Sequence, residues 1–116
     1  MIEDVFCKII AGQIPGEVVY RDDEVIVLKD IHPQAPVHLL VMPVRHVDGL
    51  GDLAEHDGVL LGKLIAVAHR VAGEQGLVKG YRLIVNEGEH GGKLVPHLHV
   101  HLLGGKALGP KIVAND

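Results

Sequence analysis

Hydrophobic and polar positions follow two different periods along this 116-residue chain, and each period predicts its own elements. Two runs rich in β-branched residues, Glu17–Tyr20 and Val25–Lys29, flank a short polar turn and predict a β-hairpin. The nearly continuous apolar run Val37–Pro43 predicts a strand in the interior of a sheet. Two further strands are predicted at Tyr81–Asn86 and over VPHLHVHLLGG, Val95–Gly105.

A period of 3.6 residues predicts one long helix over GVLLGKLIAVAHRVAGEQG, residues 58–76, with an apolar stripe of Leu60, Leu64, Val67, Ala68 and Val71. A short helix is predicted over VFCKIIAG, with Asp4 as its N-cap and Gly12 at its end. Short connections join the helices and strands in the order helix, three strands, helix, two strands. This order predicts one α+β domain over residues 1–116, a five-stranded antiparallel sheet with the long helix packed on one face.

Composition narrows the function classes. The net charge is −4 and no block of Lys or Arg occurs, so nucleic acid is not an expected partner. The apolar runs are far shorter than about 18 residues, so no association through a membrane span is expected. Cys7 is the single cysteine, and the N-terminus lacks a signal-peptide pattern, so we expect a cytoplasmic protein without an internal disulfide. The mean hydropathy of +0.26 suits a chain that buries apolar surface between subunits.

The stretch Val95–Gly105 carries histidine at every second position, as His97, His99 and His101. Side chains alternate faces along a strand, so the three rings are predicted to share one face. The side chains between and after them are predicted to face the core under the long helix: Leu98, Val100 and Leu102. Same-face positions are about 6.6 Å apart, so two neighbouring rings could hold one zinc ion, but three could not easily share it.

Three interpretations of this stretch stay open on the residues alone: a solvated sheet face, a metal site and a catalytic row. In the catalytic interpretation, a neutral imidazole is the nucleophile towards a phosphate, because the histidine pKa lies near neutrality. A neighbouring imidazolium would stabilise negative charge and protonate the leaving group.

The wider sequence resembles a known family. HLHVHLL fits the His-φ-His-φ-His-φ-φ signature of the histidine triad (HIT) superfamily, where φ is an apolar residue. DVFCKIIAGQIP, DIHPQAPVHLLVMPVRH and KGYRLIVNEGEHGG resemble the Hint branch, in the same order. The resemblance implies a homodimer whose two sheets join into one larger sheet, with a purine nucleotide site on each subunit. It also implies a hydrolase that cleaves the P–N bond of purine nucleoside 5′-phosphoramidates, such as AMP- or GMP-amides, through a nucleotidyl-histidine intermediate and with no required cofactor.

The resemblance assigns catalytic roles position by position. His99 matches the nucleophile that attacks the α-phosphate, and His101 matches the histidine that contacts the phosphate and assists the departing amine. His97 matches the histidine that orients the nucleophile, and His46 matches a fourth histidine that lines the same site. The remaining histidines are predicted to be structural or surface residues: His32, His38, His56, His69 and His90.

The resemblance also assigns the nucleotide-binding positions. Asp30 matches the carboxylate that holds the ribose hydroxyls, and Asn86 matches a phosphate-side amide. Four apolar positions match those that sandwich base and ribose, with ordinary core packing as the competing interpretation: Phe6, Ile9, Leu28 and Ile31. Gly91 and Gly92 would let the backbone approach the phosphate, and Lys93 would contact it or remain a solvated loop lysine.

The chain departs from the pattern of the family next to the leaving group. Leu94 stands where Hint proteins often carry a hydroxyl residue, and Lys93 replaces a glutamine. Leucine cannot donate a hydrogen bond, so the amine preference is not transferred. A nucleotide-binding regulatory protein with weak or no hydrolase activity therefore stays open as an alternative function.

A second departure concerns metal. Family members that bind zinc use a Cys-x-x-Cys pair and two histidines, whereas here the pair reads Asp4 and Cys7. Because one soft thiolate is replaced by a carboxylate, we expect no metal. A zinc-binding protein is kept as the other alternative, with His46 and His97 as the remaining ligands.

Overall fold

The computed structural model describes residues 4–54, 57–110 and 112–113. Within these residues, five strands form one antiparallel sheet: β1 Val18–Arg21, β2 Val25–Lys29, β3 Val37–Pro43, β4 Tyr81–Ile84 and β5 Val100–Gly104. The order across the sheet is β1-β2-β3-β5-β4. The helices are α1 Val5–Ile10, α2 Gly58–Glu74 and a short 3-10 helix, Leu50–Asp52. The predicted α+β class, with an antiparallel five-stranded sheet, one long helix and a short N-terminal helix, is confirmed.

Helix α1 begins where the sequence predicts and ends at Ile10, two residues before the predicted Gly12. The Asp4 carboxylate accepts a hydrogen bond of 2.8 Å from the backbone N–H of Cys7, an amide that has no partner within the helix. Beyond the last turn, Gly12 has φ 77°, a left-handed conformation that glycine adopts without strain. The helix spans six residues, so its stability depends on packing, which the buried Phe6 provides.

The sheet has a different apolar cluster on each face. Helix α2 packs on one face through side chains at helical spacing: Leu60, Leu64, Val67, Ala68, Val71 and Ala72. Leu98, Val100 and Leu102 belong to this larger cluster, which confirms their predicted orientation towards the core under the long helix. On the other face, α1 contributes Phe6 to a smaller cluster with side chains of β2 and β3: Ile26, Leu28, Leu40 and Met42. The alternation that sends Leu98, Val100 and Leu102 towards α2 leaves the three histidines on the side of α1.

Three strands differ from their predicted bounds. Strand β1 spans Val18–Arg21, one residue later at each end than the predicted Glu17–Tyr20. Strand β5 begins at Val100 rather than Val95, so His97 and His99 precede it. The backbone explains this difference, because the N–H of His97 bonds to the carbonyl of Val95 and the N–H of Leu98 bonds to the carbonyl of Val47. These two amides therefore bond within a turn and to a loop, rather than to a neighbouring strand. Strand β4 likewise ends at Ile84, two residues before the predicted Asn86.

None of the helices in the described part of the chain is long and apolar enough to cross a membrane.

Candidate active site

Strands β3 and β5 bring two histidines together on the α1 side of the sheet. His38 Nε2 lies 2.9 Å from His101 Nδ1. The backbone N–H of Gln34 donates to His38 Nδ1 at 3.1 Å, so that nitrogen carries no proton and the proton of a neutral His38 ring sits on Nε2. His38 therefore donates to His101 Nδ1, and a neutral His101 ring carries its own proton on Nε2. One hydrogen-bond chain thus fixes the tautomer of both rings.

Asp30 stands at the end of β2 beside this pair. Its Oδ2 lies 3.4 Å from His38 Nε2, and its Oδ1 accepts a 2.8 Å hydrogen bond from the backbone N–H of His32. The backbone N–H of Asp30 also donates to the carbonyl of His38. The structure therefore places the predicted ribose carboxylate within reach of the histidine chain that ends at His101.

His99 is held by the residue two positions before it. Its Nδ1 donates to the backbone carbonyl of His97 at 2.6 Å, which leaves Nε2 as the nitrogen with the lone pair. The Phe6 ring meets the His99 ring edge-on at 5.3 Å between centroids, and the His101 ring lies 5.0 Å away. A neutral imidazole fixed through Nδ1 is the arrangement that a nucleophilic Nε2 requires.

Burial disfavours the charged forms of the His99 and His101 rings. Desolvation is the main cause that lowers the pKa of His99 below 6.5. Desolvation, together with the neighbouring His99 and His38, lowers the pKa of His101 to about 4. Without a bound anion, both rings are therefore neutral at neutral pH, so an imidazolium in this row requires a ligand that brings negative charge.

A second cluster surrounds the first histidine of the motif. His97 is fully buried, its Nε2 donates to the carbonyl of Pro43 at 2.9 Å, and its Nδ1 lies 3.2 Å from Asp4 Oδ2. His46 Nδ1 lies 3.0 Å from the same carboxylate oxygen and 3.2 Å from Cys7 Sγ. The structure thus groups His46 with His97, Asp4 and Cys7 rather than with His99 and His101.

The four residues of this second cluster satisfy a geometric test for zinc. Their four possible ligand atoms all lie within 4.8 Å of one another, and Cys7 Sγ lies 3.4 Å from Asp4 Oδ2 and 3.6 Å from His97 Nδ1. Bonds of about 2.0–2.3 Å in a tetrahedron place ligand atoms roughly 3.3–3.8 Å apart. The bond from His97 Nε2–H to Pro43 directs the lone pair of Nδ1 into the cluster, as an outer hydrogen bond does for metal-binding histidines. Burial acts to raise the pKa of Asp4, but the hydrogen bond from the Cys7 amide and the electrostatic interaction with His97 outweigh it and keep that pKa low.

The apolar nucleotide-binding candidates separate into two groups. Phe6 and Leu28 are buried in the smaller cluster, and Ile9 packs against it. Ile31, by contrast, is 83% exposed just beyond β2. Phe6 also contacts the rings of His97 and His99, so core packing and contact with the site are compatible at that position.

The glycine-rich loop after β4 carries the remaining candidates. Asn86 is half-buried just beyond the strand. A Cβ on Gly91 would overlap the backbone of Glu87, and Gly92 has φ 80°, so the fold of the loop itself accounts for both glycines. The ammonium of Lys93 bonds to the backbone carbonyl of Asp48 and lies 2.9 Å from the Asp48 carboxylate, so this lysine is not a solvated loop residue.

Sequence reasoning missed His38, which it classed as structural or surface. Its side chain is only 5% exposed, and it links Asp30 to His101. The available signal was a single histidine within the otherwise apolar strand VHLLVMP. Its partner depended on the register of β3 with β5, where His38 pairs with Leu103 and Leu40 pairs with His101.

Comparisons with known proteins match nearly the whole chain. The family model described as the HIT domain matches residues 11–108. A protein named purine nucleoside phosphoramidase from Escherichia coli K12 is 44% identical over 111 residues, which are 95% of this chain and 93% of that one. Among solved structures, a HIT family hydrolase from Clostridium thermocellum superposes with a TM-score of 0.92 at 44% identity, covering 97% of this chain and 99% of that one. A histidine triad protein from Clostridium difficile gives a TM-score of 0.90 at 39% identity, over 96% and 99% of the two chains.

Proposed function

This chain belongs to the HIT domain family, and from that premise we propose that it is a hydrolase of purine nucleoside 5′-phosphoramidates. The observation that carries the proposal is the 2.6 Å hydrogen bond from His99 Nδ1 to the carbonyl of His97, because it presents Nε2 of a neutral ring as a nucleophile. The name of the Escherichia coli relative supports a phosphoramidate as the substrate.

The proposed reaction has two steps. His99 Nε2 attacks the α-phosphorus, the P–N bond breaks, and the amine leaves as a nucleotidyl-histidine forms. Water then cleaves the new bond between phosphorus and Nε2, which releases the nucleoside monophosphate and restores the ring. Splitting the displacement in this way replaces one difficult step with two easier ones.

The proton of the first step is assigned to His101. An amine leaves poorly unless it is protonated, and the negative charge of the bound phosphate favours the imidazolium form of His101. The Asp30 carboxylate acts in the same direction. His101 then gives the proton on Nε2 to the departing nitrogen, and the attacking water of the second step returns a proton to it. In the imidazolium form Nδ1 also carries a proton, so the hydrogen bond that the neutral ring accepts from His38 is lost when the substrate binds, and Nε2 is the atom that faces the reaction.

The test is turnover of adenosine 5′-phosphoramidate by the wild type and by His99→Ala, with His69→Ala as the matched control. His69 is an exposed histidine on α2, on the other face of the sheet, where it bonds to Tyr81. We expect AMP release by the wild type and the control only. Undiminished AMP release by His99→Ala would refute the assignment of His99 as the nucleophile. No release by the wild type, with AMP still bound, would favour the regulatory nucleotide-binding alternative.

We also propose that two chains form a homodimer through the edge strand β4, which would make one continuous sheet. Strand β1, at the opposite edge, has an irregular register between Val18 and Tyr20, which disfavours pairing with another chain. Strand β4 has a regular register, and Ile84 at its end is 36% exposed. Light scattering after size exclusion should give the mass of a dimer for the wild type and a lower mass for Ile84→Glu. The mass of a single chain for the wild type at all concentrations would refute the dimer.

The geometry of the second cluster favours a structural zinc ion as an additional proposal. Asp4, Cys7, His46 and His97 would hold it, and a zinc ion at this place would tie α1 to the histidine segment without taking part in the reaction. Elemental analysis of protein purified without added metal should find zinc in the wild type and less in Cys7→Ser. Zinc content that stays near zero after incubation with zinc would refute this proposal.

A further inference from the structure

Charged side chains connect the glycine-rich loop after β4, residues 87–93, with a second loop that contains residues 47–51. The proposed reaction gives these side chains no role. Glu87 accepts hydrogen bonds from the backbone N–H groups of Leu50 at 3.0 Å and Gly51 at 3.1 Å. These amides open the short 3-10 helix, where they have no partner within the helix. Both carboxylate oxygens of Glu87 are thus used to hold one backbone segment against another.

Lys93, at the other end of the glycine-rich loop, contacts the same second loop. The contacts of Glu87 and Lys93 with residues 48–51 are called the junction below. Its ammonium donates to the backbone carbonyl of Asp48, lies 2.9 Å from the Asp48 carboxylate and lies 3.9 Å from the Glu87 carboxylate. The side chain is only 14% exposed, so these acceptors have replaced most of the water around the charge. A Cβ on Gly49 would overlap both the Glu87 carboxylate and the Lys93 ammonium, so a glycine at this position makes room for their approach.

The junction lies beside residues 93–98, the segment that leads into His99. The N–H of Leu98 bonds to the carbonyl of Val47, the residue that precedes Asp48. Lys93 and Leu98 therefore fix the two ends of residues 93–98 along residues 47 and 48. His99 follows directly, and its ring bonds to a carbonyl within that segment. The place of the His99 ring is thus linked to the place of the segment.

We propose that Lys93 and Glu87 are positioning residues for His99, and that Lys93 acts through this junction rather than as a ligand of the phosphate. The inference rests on the proposed hydrolysis of phosphoramidates. The ammonium would have to leave both acceptors of Asp48 to reach a substrate. Its loss would displace the nucleophile, and a displacement of about 1 Å can slow a reaction by up to about 100-fold.

The variants are Lys93→Met and Glu87→Gln, with Lys79→Met as the matched control. Lys79 is an exposed lysine in the turn between α2 and β4. The measurements are kcat and KM with adenosine 5′-phosphoramidate, and hydrogen exchange of the Leu98 amide. For both junction variants we expect kcat to fall about tenfold or more, KM to change by less than about threefold, and the Leu98 amide to exchange faster. Lys79→Met should match the wild type in all three.

The alternatives give different results. If KM of Lys93→Met rises about tenfold with kcat retained, Lys93 is a phosphate ligand and the inference is wrong. Unchanged kcat and unchanged exchange in both junction variants would also overturn it. If the wild type cleaves no AMP-amide, the proposed function fails. Hydrogen exchange of the Leu98 amide alone then tests whether the junction positions residues 93–98. Glu87→Gln, which keeps the charge of Lys93, decides by the same criteria if Lys93→Met does not fold.

Discussion

The low pKa of His101 makes a testable contribution to the pH dependence of stability. The pKa is about 4 in the folded protein, against 6.5 for an unperturbed ring. As pH falls below 6.5, the unfolded chain therefore binds a proton at this position before the folded protein does. The stabilising contribution is fully present above pH 6.5 and is lost as pH falls towards 4.

The size of this effect follows from the two pKa values. Between pH 7 and pH 4.5, a shift from 6.5 to about 4 corresponds to roughly 2.4 kcal/mol in the free energy of unfolding. His101 is only partly buried, and solvent screening reduces such an effect, so we expect about 1 kcal/mol. The perturbation that isolates it is His101→Asn, which removes the titrating group and keeps a polar side chain.

The assay is urea denaturation of the wild type and His101→Asn at pH 7 and at pH 4.5. Groups distant from His101 titrate equally in both proteins, so the difference between their two losses of stability reports on His101 together with the two rings that contact it, His38 and His99. The wild type should lose about 1 kcal/mol more than the variant. Equal losses would show that burial does not depress the pKa of His101, so that an imidazolium at this position would not need a bound anion. A larger loss for the variant would mean that the sign of the shift is wrong.

Three further substitutions test other parts of the structure. His38→Phe keeps an aromatic ring but removes the donor to His101. We therefore expect kcat with an AMP-amide to fall about 10- to 100-fold in a folded protein. A kcat within twofold of the wild type would contradict the proposed tautomer of His101. Gly91→Ala places a methyl group against the backbone of Glu87, and urea denaturation should show a loss of about 1–3 kcal/mol. Gly62→Ala meets nothing within 4 Å in the interior of α2, so the same assay should show a gain of about 0.5–1 kcal/mol, and a loss would refute the open space at that site.

Periodicity was sufficient for the elements whose side chains divide between core and solvent. Strands β2 and β3 have the predicted bounds, because their near-continuous apolar runs have no stable place outside the sheet interior. The long helix was predictable because its apolar residues recur at the helical period, and the Asp4 cap was predictable because it satisfies local amides.

Contacts between distant loops were not predictable from local pattern. The alternation around His97 indicated a strand, but the backbone partner of Leu98 is a loop carbonyl, that of Val47. His38 was missed because its link to His101 depends on strand register, which no single segment encodes. Lys93 was interpreted as a solvated or phosphate-binding lysine, since its acceptor at Asp48 lies 45 positions away. The family resemblance supplied the motif roles, but not these long-range partners.

The contact between Asp4 and His97 also has a consequence during synthesis of the protein. The two residues are 93 positions apart, and translation adds roughly 5–20 residues each second. The N-terminal helix is therefore made roughly 5–20 s before the histidine that it will meet. During that interval Phe6 and Cys7 lack the contacts with His97 and His99 that they make in the folded protein. The rate of synthesis therefore sets how long these side chains wait for the histidines of the C-terminal segment.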